Sequence, residues 1–432
     1  MIEISRRGFV RGLGAAGATA ASGVTTFARA QASPRVVIVG GGAGGATVAT
    51  YLKRAAPNIH VTLIERNPRF TTCFFSNLYL GGFRTFESIT HSYADLKAQG
   101  VSVLTDVAVD VDVSRKNVTL MSGSRIGYDR LVLSPGIDIR FDTIERYTAE
   151  VARQMPHAWR AGEQTTTLKA QLEAMPDGGI VVMAAPPNPY RCPPGPYERA
   201  CMIAHFLKTR KPRSKLVILD PKKSISKQAV FLEAFKKYYA GIVELHLSNE
   251  IDNFQVISVD PATKTLTTRS GHRVTASVVN IIPAQRAGGI ATRAGCTDGD
   301  WCPVAPENFL STKVQDVHVI GDAAIATDMP KSGFSANSHG KLIANHLAST
   351  LTGKETFPSR VRNTCWSLLA SNDCVKIGAN YIVGEKDGRK MLMPTDAFVS
   401  VPGEDAAERQ GNFEESVGWY SGITTDMFGQ AS

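Results

Sequence analysis

The sequence predicts an α/β protein made of two Rossmann-like, dinucleotide-binding-type domains followed by a C-terminal α+β domain. Three observations carry that prediction. A buried strand runs straight into a glycine turn and a helix between Arg35 and Lys53. A second apolar strand ends in Glu65, and a late one, Val317-His-Val-Ile, ends in Gly321-Asp322.

In chain order, Val36 to Val39 form the continuous apolar run of a parallel strand covered on both faces. Gly40, Gly42 and Gly45 then supply the G-x-G-x-x-G spacing. Gly40 makes the tight turn, Gly42 lets the backbone approach a pyrophosphate, and Gly45 lets the helix pack closely on its strand. The phosphates would rest on the helix N-terminus, where free N–H groups and the macrodipole favour negative charge. Alone the glycines are a weak signal. The strand His60-Val-Thr-Leu-Ile64 strengthens it, because Glu65 stands where a carboxylate can hydrogen-bond a ribose 2′-hydroxyl.

The loop from Arg69 to Gly82 carries Cys73 and runs into a short apolar segment, placed by its order beside the extended dinucleotide. Strand-like stretches follow at 101–104, 108–113 and 117–121. Arg130-Leu-Val-Leu-Ser-Pro-Gly136 then closes the first FAD segment in the manner of two-dinucleotide flavoproteins. Gly178-Gly-Ile-Val-Val-Met-Ala184 opens the second unit. Where a nicotinamide-binding domain would carry its glycines, the chain has Ala185-Pro-Pro-Asn-Pro-Tyr-Arg-Cys192-Pro-Pro-Gly-Pro-Tyr-Glu198. Prolines lack an N–H and fix φ, so this loop cannot wrap a pyrophosphate and no NAD(P)H is expected.

A helix from about Glu198 to Leu207 and strands at 215–220, 254–259, 265–268 and 277–282 complete that unit. The chain then returns to the first unit at Gly321-Asp322, where the Asp322 carboxylate can accept from a ribityl hydroxyl and the next helix can point its N-terminus at the flavin. Asp is also a favoured N-cap. From about Phe357 no dinucleotide signature remains, as in segments that dimerise or cover a flavin. The expected division is therefore a targeting segment at 1–30, a first FAD-binding segment at 31–150, the second unit at 151–285, the returning FAD segment at 286–356 and the C-terminal domain at 357–432.

A hydrophobic content of 43% with 20% charged residues describes an ordinary soluble globular protein. The net charge of +9 includes Arg6, Arg7, Arg11 and Arg29 against Glu3 in the first thirty residues, leaving +6 for the remainder. That is too mild to argue nucleic acid and suits an acidic protein partner. Ser5-Arg6-Arg7-Gly8-Phe9-Val10, a weakly apolar run to Phe27 and Ala28-Arg29-Ala30 read as a twin-arginine signal peptide. Export of a folded protein to the periplasm, with the mature chain starting near Gln31, is expected. No run is apolar enough for a transmembrane segment.

Seven cysteines in an oxidising compartment cannot all pair, so one must do something else. None falls in C-x-x-C or C-x-x-C-H, which disfavours a zinc ribbon, a thioredoxin motif and haem attachment, and no metal site is expected.

The chain resembles the flavoprotein subunit of flavocytochrome c sulfide dehydrogenase, a relative of sulfide:quinone reductases and of enzymes of the glutathione reductase type. The matching strings include Val39-Gly-Gly-Gly-Ala-Gly-Gly-Ala-Thr47, Thr72-Cys73 with Ser76-Asn77, Pro156-His-Ala-Trp-Arg-Ala-Gly-Glu-Gln-Thr165 and Arg191-Cys-Pro-Pro-Gly-Pro-Tyr-Glu-Arg-Ala200. Val319-Ile-Gly-Asp-Ala323, Met329-Pro-Lys-Ser-Gly333 and Asn363-Thr-Cys365 extend the likeness. The resemblance implies FAD bound through its 8α carbon to Cys73 as a thioether, and a redox-active disulfide between Cys192 and Cys365. Hydrosulfide attack on such a bond would leave a persulfide and a thiolate. The pairing of Cys201, Cys296, Cys302 and Cys374 cannot be read from spacing.

Glu198, six residues after Cys192, could move a proton during that attack or simply be a helix-start carboxylate. Lys331 could stabilise negative charge on reduced flavin or be an ordinary surface lysine, and Trp419 covers the flavin or packs the C-terminal segment. With no haem in this chain, the resemblance implies a separate c-type cytochrome subunit as electron acceptor and sulfide as substrate. A sulfide:quinone reductase is the near alternative, although the stretch from Gly403 to Gly418 is strongly polar for a membrane surface. A Sox-associated accessory flavoprotein that reactivates a sulfur-oxidation complex is the other.

Overall fold

A computed structural model describes residues 33–249 and 251–429. The twin-arginine stretch lies outside the described residues. A five-stranded, all-parallel sheet carries the first unit, in the order Val317–Val319, Arg130–Leu133, Arg35–Val39, His60–Glu65, Ser102–Thr105. Its central strand is buried from Val36 to Val39, as its unbroken apolar run requires. The returning strand Val317–Val319 pairs with Arg130–Leu133, so chain stretches nearly two hundred residues apart share one sheet.

Helix Ala43–Ala55 follows the glycine turn and packs against the long helix Gly333–Leu351. The approach is close because glycine faces backbone: a Cβ on Gly340 would lie 2.7 Å from the Gly44 carbonyl oxygen. Ser332 caps the long helix by accepting from the Ser335 N–H at 3.0 Å.

The second unit has a four-stranded parallel sheet ordered Val243–Leu247, Lys215–Asp220, Ile180–Ala184, Val278–Ile281, with a three-stranded antiparallel sheet of Val256–Asp260, Thr265–Thr268 and Arg273–Thr275. The helix expected from Glu198 runs instead over Gly195–Arg210. Pro194 and Pro196 explain the earlier start, since proline is tolerated in a first helical turn where its missing N–H has no partner to lose. The apolar segment after Cys73 is the short helix Ser76–Gly81.

The C-terminal segment is a three-stranded antiparallel sheet, Arg360–Ala370, Asp373–Lys386 and Arg389–Val399, followed by helix Ala406–Phe428. Asp405 caps that helix by accepting from Glu408 N–H at 2.8 Å. Its far end is tied to the first unit: Asp426 accepts from Tyr51 at 2.6 Å and pairs with Lys341 at 2.6 Å. Among the described residues no helix is long and apolar enough to cross a membrane.

The glycine turn sets the strictest local condition. A Cβ on Gly45 would sit 1.9 Å from the Gly40 carbonyl oxygen and 3.0 Å from Ile38 Cγ2. Gly45→Ala is expected to lower stability by about 1–3 kcal/mol through overpacking, read as a fall in the urea midpoint. An unchanged midpoint would contradict this account of the turn.

Candidate active site

The first cavity, about 450 Å³, lies along the glycine turn and the ends of the first unit's strands. Gly40 has φ +99°, and a Cβ there would meet Ser134 O at 2.2 Å, so the turn admits only glycine. Gly42 stands at the N-cap of helix Ala43–Ala55 in extended conformation, leaving the helix's free N–H groups towards the cavity. Glu65 Oε2 accepts from Gly41 N–H at 2.8 Å and Oε1 from Asn67 N–H at 3.1 Å, which fixes its carboxylate at the cavity edge. Gly136 and Gly321, at φ +65° and +69°, line the same space with Asp322.

Asp322 gives the sharpest test of fit. Its Oδ2 lies 3.6 Å from Arg191 Nη1, whereas its Oδ1 is buried with no partner. Such an acceptor wants a donor. A ribityl hydroxyl would supply one, and the first turn of helix Gly333–Leu351, with Gly333 and Ala336 on the cavity wall, faces the same region. Glycines that exclude a Cβ, two helix N-termini and an orphan carboxylate oxygen fit a flavin dinucleotide.

The second cavity is smaller, about 90 Å³, and shares Cys73, Phe74, Arg191 and Gly333 with the first. Cys192, Cys365 and Glu198 line it, so the three residues that the sequence ties to sulfur chemistry meet in one place. Cys192 holds φ +57°, a left-handed conformation rare for a residue with a Cβ. Two backbone bonds keep it there: its N–H donates to Lys331 O at 2.7 Å and its carbonyl accepts from Gly195 N–H at 2.8 Å. Cys365 comes from strand Arg360–Ala370, with the Asn363 amide nitrogen and oxygen 3.5 and 3.6 Å from its sulfur.

All seven cysteines are unbonded. Burial pushes the Cys192 thiol well above its ordinary pKa, and Cys365, Glu198 and Cys73 push the same way against Arg191. Cys365 is also raised by burial, but Asn363, Lys227 and Ser332 oppose the shift. Cys374, which the sequence left unassigned, lines this cavity too and is pushed up to about 12 by burial.

Glu198 is raised by burial, offset by Asn77 Nδ2 donating at 2.8 Å, Leu368 N–H donating at 3.0 Å and the charges of Lys227 and Arg199. Arg199, only 2% exposed, was not singled out by the sequence. Its guanidinium donates to Asn77 Oδ1, Asn280 Oδ1 and the carbonyls of His157 and Ala158 at 2.7–3.2 Å, and it lies 4.8 Å from the Trp159 ring. Burial lowers it to about 9. Its sole sequence signal was its place beside Glu198.

Lys331 requires a correction. It borders neither cavity: its ammonium donates to the carbonyls of Asp322 at 2.9 Å and Ala324 at 2.7 Å and lies 3.9 Å from the centre of the Trp301 ring. Burial pulls it down to about 8. The carbonyls that follow the Gly321 turn need donors, and Lys331 provides them from behind the site instead of facing a ligand. Trp419 lines the small cavity and stacks on Phe334 with ring centres 5.9 Å apart.

Comparison with known proteins adds what geometry alone does not. Residues 165–283 match the family model for the sulfide dehydrogenase [flavocytochrome c] flavoprotein chain, central, and residues 358–428 match that for flavocytochrome c sulphide dehydrogenase, flavin-binding. Residues 34–174 match the pyridine nucleotide-disulphide oxidoreductase model. A sulfide-quinone reductase of Aquifex aeolicus is 31% identical over 184 residues, 42% of this chain and 41% of that protein, so the alignment spans under half of that relative. The flavoprotein chain of sulfide dehydrogenase [flavocytochrome c] from Chlorobaculum thiosulfatiphilum is 58% identical over 43 residues, 10% of this chain and 90% of that sequence. The X-ray structure of the Aquifex aeolicus sulfide:quinone oxidoreductase superposes with a TM-score of 0.67 at 19% identity, covering 92% of both chains, and so shares the two-dinucleotide fold. With the cysteine cavity set against the dinucleotide cradle and these matches along its length, the chain belongs to the family of flavocytochrome c sulfide dehydrogenase flavoprotein chains.

Proposed function

We propose that this chain is a periplasmic, FAD-dependent sulfide dehydrogenase that oxidises sulfide to sulfur or polysulfide and passes the electrons to a c-type cytochrome subunit. The observation that carries the reading is the cavity lined together by Cys192, Cys365 and Glu198, with Cys73 on the wall shared with the dinucleotide cradle. In the oxidised enzyme Cys192 and Cys365 form a disulfide. Hydrosulfide attacks one of its sulfurs, the S–S bond breaks, one cysteine keeps the new S–S bond as a persulfide, and the other leaves as a thiolate with the electron pair of the broken bond.

FAD, bound in the cradle and joined to Cys73 by a thioether, supplies an acceptor for two electrons that can release them singly. The residues of the chain do the rest. Arg191 and Arg199 on the wall keep the cavity positive enough to admit an anion, and Glu198, held by Asn77 and Leu368 N–H, takes or returns the proton that accompanies sulfur chemistry. Trp419 and Phe334 form the outer side of the cavity and limit water. Arg6-Arg7 supports export, and the proline-rich loop before helix Gly195–Arg210 supports a chain that takes no electrons from NADH. The likeness to sulfide:quinone oxidoreductases favours a second reading in which a quinone is the acceptor. Reduction of cytochrome c but not of a short-chain quinone by the sulfide-reduced protein selects the first reading, and the reverse result selects the second.

Anaerobic titration with sulfide is expected to bleach the flavin of the wild-type protein at stoichiometric sulfide, with Cys192→Ser and Cys365→Ser slowed at least a hundredfold. A flavin that stays oxidised would leave an accessory role in a sulfur-oxidation complex, and rapid bleaching by NADH would overturn the reading of the proline-rich loop.

The intact mass of the denatured mature protein is expected to include FAD, and Cys73→Ala is expected to lose that added mass. Equal masses with the flavin free in solution would remove the thioether.

Asn77→Leu withdraws one donor from the Glu198 carboxylate. A hydrogen bond to a charged group is worth about 1.5–3 kcal/mol, so the Glu198 titration is expected to move up by roughly one to two pH units. The carboxyl band in infrared difference spectra across a pH series reads the midpoint, and an unmoved band would exclude this coupling.

A further inference from the structure

Lys227 belongs to no motif, yet among the described residues it is the one buried lysine, and it reaches the sulfur-bearing strand. It stands at the N-cap of helix Gln228–Tyr238 at φ +56°, a conformation in which glycine or asparagine is usual, and it is 8% exposed. From the second unit its side chain enters the C-terminal sheet. There Nζ donates to Ser367 Oγ at 2.9 Å, to the Cys365 carbonyl at 3.3 Å and to the Val375 carbonyl at 3.5 Å.

Those acceptors are all neutral. Among the described residues no carboxylate lies within ion-pair distance of Lys227, unlike the half-buried Lys222, which pairs with Asp220 at 2.8 Å, and Arg409, which pairs with three carboxylates. A buried cation without a counter-charge is strongly unfavourable unless negative charge forms nearby. The groups whose charge bears on Lys227 are Cys365, Cys374, Glu198 and Cys192, three sulfurs and one acid from the same cavity.

The surroundings of Cys365 are correspondingly one-sided. Lys227 faces it from the second unit and Glu198 from helix Gly195–Arg210. Cys192 faces it from the proline-rich loop, Tyr381 bears on it from the paired strand, and Asn363 and Ser332 supply neutral polar contacts. Lys227 is the cation in that set.

We propose that Lys227 is a positioning residue whose buried ammonium offsets the burial of Cys365 and favours its thiolate over its thiol once the bond to Cys192 is open. This rests on the reading of the two cysteines as a redox pair, but its test does not use sulfide. Opening of the pair leaves a negative charge on a cavity sulfur; the ammonium is already fixed by Ser367 and two carbonyls, so its own position needs no rearrangement to meet that charge.

The test is alkylation of the holoprotein, reduced anaerobically with a phosphine and treated with iodoacetamide across a pH series, with the rate at Cys365 followed by peptide mass spectrometry. Lys227→Met is expected to slow Cys365 alkylation at neutral pH by about tenfold, a shift of one pH unit in the midpoint, while Lys227→Arg restores the wild-type profile. Lys227→Gln keeps a donor for the carbonyls and removes the charge, so it is expected to follow Lys227→Met with a thermal midpoint near wild type. Should Lys227→Met fail to fold, the Gln and Arg variants decide alone. A Cys365 profile that is the same in wild type, Gln and Arg variants would overturn the proposal. Because no sulfide is present, that failure is separate from an unbleached flavin in the sulfide titration.

Discussion

One backbone hydrogen bond joins the two halves of this site: Cys192 N–H to Lys331 O, at 2.7 Å. Cys192 belongs to the second unit and Lys331 to the chain that returns to the first. The same lysine holds the Asp322 and Ala324 carbonyls through its side chain. A single residue therefore fixes the turn carrying the orphan Asp322 oxygen and the loop carrying a cavity sulfur. Moving Cys192 away from the dinucleotide cradle would break that bond, a loss of about 0.5–1.5 kcal/mol. The left-handed conformation of Cys192 is the local strain that this tether sustains.

Buried charge is the second constraint. Glu198, Arg199 and Lys227 all sit out of water around the small cavity, and none is joined to another in an ion pair. Each is instead met by polar neighbours: Glu198 by Asn77 and Leu368 N–H, Arg199 by four oxygens, Lys227 by three. Asn77 donates to Glu198 and accepts from Arg199, so its amide relays between the acid and the cation without letting them neutralise each other. Such an arrangement costs stability compared with apolar packing. Its gain is a pocket with fixed cationic groups and a buried acid held apart from one another, a preorganised polar setting in a place little water reaches.

The parts of this design that were legible in the sequence are those set by short-range sterics. Gly40 could be read because its turn takes φ +99°, and Gly45 because a Cβ there would meet Gly40 O five residues back. The Ser134 O that also crowds Gly40 follows a strand too distant in sequence to be read. The meeting of Cys192 with Cys365 came from resemblance, since 173 positions separate them and no periodicity links them. Arg199 and Lys227 were invisible for the same reason: what makes them special is a register between elements far apart in sequence, such as the 138-residue separation of Lys227 from Cys365. Lys331 stayed open between a flavin-stabilising cation and a surface lysine because its sequence neighbours give no hint of the Asp322 and Ala324 carbonyls that take its ammonium.

The position of Cys365 depends finally on how the C-terminal sheet is anchored. Arg409, from helix Ala406–Phe428, pairs with Asp373 at 3.0 Å in the sheet, Glu404 at 2.6 Å before the helix and Glu233 at 3.2 Å in helix Gln228–Tyr238. That last helix is the one that begins after Lys227. The network thus clamps the cation and the thiol to the same frame: helix Gln228–Tyr238 cannot slide along the sheet without separating Arg409 from Glu233, and the sheet cannot lift without separating it from Asp373. Removing one partner from a buried charge network costs about 3–5 kcal/mol, which exceeds what a single neutral hydrogen bond of about 1 kcal/mol could resist. The contacts of 2.9–3.5 Å at Lys227 thus depend on a buried network that ties the helix after it to the sheet bearing Cys365.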